Sequence, residues 1–219
     1  MDDQELSELA MQLRQPHAAK GLEVADMMNK NNVGMIHHAI DLLQLEDHQQ
    51  ILELGPGNAG HLEYLLNKRR FLGYHALDIS ELMVKEAQRL NRERVEADEA
   101  SFSVYDGMNI PFVNNSFDRI FTVNTIYFWE ERAYLLNEIY RVLKRGGIFN
   151  ITFAERKFME KLPFVRFGFT LYDSDESRAL LKGAGFAIQG VEKQRETVTA
   201  KSGEQVDREF VTITAVKKE

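Results

Sequence analysis

The sequence contains no cysteine and, across 219 residues, only four prolines and one tryptophan. Without cysteine there can be no disulfide, zinc–thiolate or iron–sulfur site and no thiol nucleophile. No stretch approaches the roughly 18 consecutive apolar residues of a membrane-crossing helix. The opening Met1-Asp2-Asp3-Gln4-Glu5 lacks the apolar core of a secretory signal, so the expectation is a cytoplasmic chain with no membrane span. Positive charge is in short supply as well. The 27 Lys and Arg face 34 Asp and Glu, a net charge of -7, which argues against a nucleic-acid partner. The six histidines make no ligand cluster. His37 and Asp41 share a helix face but supply only two ligands, so no metal is expected. These histidines, and His61, read as surface residues.

What remains is 44% hydrophobic and 28% charged, the balance of a globular protein. The length suits one large domain. The first fifty residues read as helices: Leu6, Leu9 and Leu13 recur at helical spacing, then Val24, Met27 and Met28, then Ile36, Ile40 and Leu43. Pro16 and Gly21 punctuate them. From residue 50 strands and helices alternate. Strands are expected at Gln50–Leu54, Phe71–Leu77, Ser101–Tyr105, Phe117–Val123 and Ile148–Phe153. Helices are expected after Asn58, over Glu81–Ala97 with Ser80 as N-cap, and over Glu130–Leu143 with Gly146-Gly147 closing it. Short links between them indicate a parallel sheet covered on both faces. The tail reads as a helix (Ser174–Gly183) and two strands (Phe186–Arg195 and Glu209–Val216) around Ser202-Gly203-Glu204, an antiparallel hairpin.

The chemistry begins at Glu53-Leu54-Gly55-Pro56-Gly57-Asn58-Ala59-Gly60. Its glycines fit the written form of a dinucleotide fingerprint, with Asp78 eighteen residues after Gly60. A tight strand-to-helix turn would need the same glycines. A pyrophosphate wants free N–H groups at the helix start, yet Pro56 has none and Glu53 would repel phosphate. A cationic ligand without phosphate suits this loop better.

Glu53-Leu54-Gly55-Pro56-Gly57 resembles the first motif of class I S-adenosylmethionine-dependent methyltransferases. Ala76-Leu77-Asp78-Ile79-Ser80, Asp106-Gly107-Met108-Asn109-Ile110-Pro111-Phe112, Ser116-Phe117-Asp118-Arg119-Ile120 and Ile139 to Gly147 resemble its later motifs, in order. Together they cover about residues 50–153. The closest likeness is to the small-molecule branch of ubiquinone- and menaquinone-biosynthesis methyltransferases. Ala59 stands where the family often has a third glycine. Asn124-Thr125-Ile126-Tyr127 lacks the Pro-Pro signature of many nucleic-acid and glutamine N-methyltransferases.

The resemblance implies a single Rossmann-like doubly wound sheet of about seven strands, mostly parallel, with a C-terminal antiparallel hairpin. Residues 1–48 would form a helical lid on a domain at 49–219, with an insertion at 155–172. The cofactor would be S-adenosyl-L-methionine, giving S-adenosyl-L-homocysteine. Glu53 would lie near the ammonium, against a loop of Gly55, Pro56, Gly57 and Asn58. Asp78 would accept both ribose hydroxyls. Ile79, Met83 and Met108 would sandwich adenine, and Asp106 and Gly107 would meet its edge. Asn124 or Thr125 would touch the methionine part. Met28, Tyr127, Trp129, Phe164 and Phe167 are the candidate acceptor wall. The partner would be a small-molecule acceptor, methylated by in-line displacement. That reaction needs alignment and exclusion of water more than a catalytic triad. If a base is used, Tyr127, Tyr134 or His17 are the candidates. The insertion reads equally as a lid or as a homodimer contact. Two rivals stay open: an NAD-dependent oxidoreductase, and a catalytically silent cofactor-binding protein on the same fold.

Overall fold

The computed structural model describes residues 1–199 and 205–218. Ser202-Gly203-Glu204, read from sequence as the hairpin connection, lies outside them. Two helices come first, α1 (Asp3–Arg14) and α2 (Ala18–Asp41). The chain then alternates through β1 (Gln50–Leu54), α3 (Leu62–Leu66), β2 (Gly73–Asp78), α4 (Glu81–Leu90), α5 (Arg92–Glu96), β3 (Ala100–Val104), β4 (Phe117–Val123), α6 (Arg132–Val142) and β5 (Leu143–Ala154). A short helix α7 (Arg156–Met159) and a 3₁₀ turn (Pro163–Arg166) precede α8 (Ser174–Gly183), β6 (Ala187–Thr199) and β7 (Gln205–Val216).

The seven strands form one sheet in the order β3-β2-β1-β4-β5-β7-β6. The first five are parallel, and β7 runs antiparallel between β5 and β6. This is the expected Rossmann-like sheet. Alternate side chains feed opposite cores. Ile51 and Phe121 point to one, with Ile36 and Ile40 of α2, Leu62 and Leu65 of α3 and Val84 of α4. Leu52 and Ile120 point to the other, with Leu135 and Ile139 of α6 and Leu181 of α8. A one-residue slip would exchange the two sets. The chain leaves β1 toward β2 and β3 and returns on the other side as β4. The sheet therefore reverses direction of winding at β1/β4, where open α/β sheets bind ligands at the carboxyl edge.

Several local expectations change. The helical segments read as separate after Gly21 form one 24-residue helix, because α2 is buried along one face by the sheet and tolerates its two glycines, Gly21 and Gly34. The expected Glu81–Ala97 helix breaks at Asn91, whose side chain donates to Ala87 O and to Ala59 O. Asn58 does not cap α3. His61 occupies that position without a side-chain cap, while Asn58 Oδ1 accepts from Gly60 N at 3.2 Å. Gly146 has φ +72° inside β5 and does not end a helix.

The N-terminal helices are fastened to the sheet by buried polar bonds. Asn150 of β5 donates to Ala39 O at 2.9 Å. Arg208 of β7, 7% exposed, donates to Asn32 Oδ1 at 2.8 Å and to Glu196 of β6 at 2.6 Å. Removing a buried cation strands its partners. Arg208→Ala is therefore expected to cost about 3 kcal/mol of stability, read as a lower urea midpoint with unchanged far-ultraviolet dichroism. A loss below about 0.5 kcal/mol, the range of neutral surface changes, would contradict that role.

Candidate cofactor and acceptor cleft

A cleft of about 240 Å³ opens at the carboxyl edge of β1, β2 and β4. Its floor is the loop after β1. Gly55 and Gly57 have φ of +71° and +58°, conformations costly for any residue with a Cβ. A Cβ on Gly55 would also collide with Thr125 Cγ2, whereas one on Gly57 would meet open space. Ala59 takes φ +50° and is fully buried, so the position where the family often has glycine keeps the left-handed geometry at a cost of roughly 1–2 kcal/mol.

Asp78 ends β2 and is 6% exposed. Its Oδ1 accepts from Ser80 N at 2.8 Å and its Oδ2 from Gly57 N at 3.2 Å. Ser80, not Asp78, caps α4: its Oγ accepts from Met83 N. Burial pushes the Asp78 carboxyl up to about 6, and the backbone N–H groups oppose that rise. The second lone pairs of both oxygens remain for further donors.

Glu53 is also buried, at 1% exposure. Its Oε2 accepts from the Tyr74 hydroxyl and meets His61 Nε2 at 2.7 Å. No described residue donates to its Oε1, although Glu53 lines the cleft. Burial and the neighbouring Glu53 hold the Tyr74 hydroxyl well above its ordinary pKa, so it stays a donor. His61, read from sequence as a surface residue, is instead packed into this network at 4% exposure.

All thirteen candidate cofactor residues line this one cleft: Glu53, Gly55, Pro56, Gly57, Asn58, Asp78, Ile79, Met83, Asp106, Gly107, Met108, Asn124 and Thr125. Asn58 also donates to Asp26 of α2 at 3.2 Å. Asp106 is occupied by its own loop, accepting from Met108 N, Asn109 N and the Asn109 amide. Those bonds, led by the Asn109 amide, lower its pKa. Asn124 Oδ1 lies 3.2 Å from the Tyr127 hydroxyl oxygen. Thr125 accepts the indole N–H of Trp129 at 3.1 Å and pairs with Thr122.

The acceptor candidates divide. Met28 and Trp129 line the cleft, while Tyr127, Phe164 and Phe167 do not. Tyr127 is buried and its hydroxyl donates to Ala154 O at 2.8 Å. Phe164 packs on Phe169, which packs on Phe128. The base candidates also lie off the wall. Tyr134 is exposed and donates to Asn109 Oδ1, and His17 faces Gln12 and the Gln15 carbonyl. Sequence reasoning did not single out the lining residues Gln12, Leu13, Pro16, Asn32, Ile36, Tyr105 and Glu130. They come from segments distant in sequence; of these, residues 12–16 are held over the cleft by Ser80 Oγ donating to Pro16 O and Gln15 donating to Ile79 O. No group of three or more metal-ligating side chains occurs among the described residues, and no helix among them is long and apolar enough to cross a membrane.

Residues 52–151 match the family model of the methyltransferase domain. YrhH of Bacillus subtilis (strain 168), classed with the methyltransferases, is 30% identical over 118 residues. That covers 53% of this chain and 63% of YrhH, so the chain spans under two thirds of that relative. A chain in the complex of the Haloferax volcanii Trm112 methyltransferase activator with a methyltransferase superposes with a TM-score of 0.76. It is 20% identical, and 98% of each chain is covered. A geranyl diphosphate methyltransferase solved with geranyl diphosphate and sinefungin superposes with a TM-score of 0.69 at 13% identity, over 84% of this chain and 77% of that one. Residues 52–151 thus match a methyltransferase domain, and the fold of the chain is one shared with methyltransferases of known structure.

The two loop glycines should respond differently to alanine. Gly55→Ala combines backbone strain with the Thr125 collision and is expected to cost about 2–3 kcal/mol, against about 1 kcal/mol for Gly57→Ala. Urea denaturation of both variants checks this. Equal losses would contradict the collision.

Proposed function

We propose that this chain is an S-adenosylmethionine-dependent methyltransferase acting on a small-molecule acceptor. The observation that carries the reading is the Asp78 carboxylate. It is buried at the end of β2, clamped by Gly57 and Ser80 N–H groups, and open to the cleft beside Ile79, Met83 and Met108.

The residues present fit the cofactor. Asp78 offers two oxygens to a vicinal diol. Ile79, Met83 and Met108 offer an apolar slot to a flat base. Glu53 Oε1, held by the bonds on its sister oxygen, offers a carboxylate to an ammonium. When bound, S-adenosylmethionine supplies a methyl group on a sulfonium, a leaving group that needs no acid. The chain's own task is then to orient and to exclude water. Residues 12–16 and α2 cover one side, and the Thr125 hydroxyl fixes the Trp129 ring on the other. The dinucleotide alternative fits poorly: Pro56 offers no N–H to a pyrophosphate, and Glu53 brings a carboxylate to the same cleft.

The Asp78 shift sets a pH dependence. Its pKa is raised in the folded chain, so its contribution to ligand-free stability is present below about pH 4 and lost as pH rises through about 6. Hydroxyl donors need the ionised form, so ligand binding has the opposite trend. The affinity for S-adenosylhomocysteine is expected to rise about tenfold between pH 5 and pH 7. Asp78→Asn should bind at least tenfold more weakly at pH 7 and lose that slope. Calorimetric titration at both pH values is the test. Wild-type affinity for Asp78→Asn would overturn the reading.

A further inference from the structure

The cleft wall carries four carboxylates, Glu53, Asp78, Asp106 and Glu130, but a single cation among the described residues, Arg14. Three of the carboxylates are held by the site itself. The fourth, Glu130, pairs with Arg14. Both members of that pair are solvent-exposed, and pairs of this kind hold weakly, so an incoming anion can take the place of Glu130.

Arg14 also marks a junction. It and Phe128 line both the cofactor cleft and a second hollow of about 310 Å³ between α1 and the 163–166 turn. Met11, Ala10 and Phe167 make that second hollow mainly apolar. An exposed ion pair from Arg166 to Asp3 spans its two banks. The molecule thus presents a cation between a cofactor cleft and an apolar groove. The cleft wall contains no histidine or lysine among the described residues, and the three base candidates lie off it. An acceptor that arrives already ionised needs no proton removed.

We propose that the acceptor is an amphipathic carboxylic acid, bound as its carboxylate at Arg14 with its apolar body in the Met11–Phe167 groove, and methylated on a carboxylate oxygen. This rests on the methyltransferase reading. The carboxylate oxygen gives its electron pair to the methyl carbon, forming an ester C–O bond. The methyl–sulfur bond breaks and its electrons stay on sulfur, leaving a neutral thioether. No proton is released and no oxidant is required.

The test uses the full chain with straight-chain C6 to C12 carboxylates and the matching alcohols. Binding to the S-adenosylhomocysteine-loaded protein is read from the fluorescence of Trp129, the sole tryptophan, which stands in the cleft wall. Methyl ester formed from S-adenosylmethionine is read by mass spectrometry. At least one acid should bind tenfold more tightly than its alcohol and yield its methyl ester. Arg14→Gln should remove that preference and raise KM at least tenfold with a smaller change in kcat. Glu130→Gln should lower KM. The proposal is overturned if no acid binds better than its alcohol, if Arg14→Gln keeps the preference, or if the bound acid gives no ester. S-adenosylhomocysteine affinity measured in the same samples separates these failures from failure of the methyltransferase reading, which alone would abolish it.

Discussion

Two carboxylates held out of water at one edge of a parallel sheet are the constraint around which this structure is arranged. Burying a carboxylate is costly unless donors meet it. Asp78 is met by main-chain N–H groups of the glycine loop and of the turn into α4. Glu53 is met by the side chains of Tyr74 and His61. The two solutions differ in consequence. Main-chain donors leave Asp78 with its pKa raised by burial to about 6. Side-chain donors gather on one oxygen of Glu53 and leave the other facing the cleft. In the proposed reading Asp78 would then meet hydroxyls and Glu53 a cation.

The N-terminal helices follow from the same edge. Residues 12–16 and the inner face of α2 complete the cleft, and they are held by few but well-placed bonds: Ser80 to Pro16, Gln15 to Ile79, Asn58 to Asp26 and Arg208 to Asn32. Each reaches from the sheet or its loops into the helical segment. If the glycine loop cradles the ligand as proposed, ligand binding and packing of the N-terminal helices would support one another, since Asn58 of that loop also donates to Asp26 of α2.

Much of the sheet was legible because a buried parallel strand is a short apolar run followed by a turn signal. Gln50 to Gly55 and Phe117 to Val123 are such runs. The floor of the cleft was legible for a related reason: glycines with positive φ and a strand-end acid lie close together in sequence. Longer-range features were not. The burial of His61 depends on its bond to Glu53, which the Tyr74 hydroxyl reaches from the neighbouring strand, and no local pattern reports that. Tyr127 sits beside an exposed-looking aromatic run, yet its hydroxyl turns inward to Ala154 O. The ends of β6 and β7 extend past their apolar runs because polar residues such as Arg195 and Glu209 pair across the ladder. Arg14 lies in the last turn of α1, where a cation complements the helix dipole. Only the three-dimensional arrangement shows that it also stands between two hollows.

The central claim is that the carboxyl edge of this sheet is built for S-adenosylmethionine and not for a dinucleotide. The most direct measurement is the thermal unfolding of the full chain titrated with S-adenosylhomocysteine and, in parallel, with NAD. At about 100 times its dissociation constant a ligand stabilises the folded state by roughly 2.7 kcal/mol. The account predicts a saturable rise in melting temperature with S-adenosylhomocysteine and none with NAD. A rise with NAD alone, or with neither ligand in a cooperatively folded sample, would contradict it.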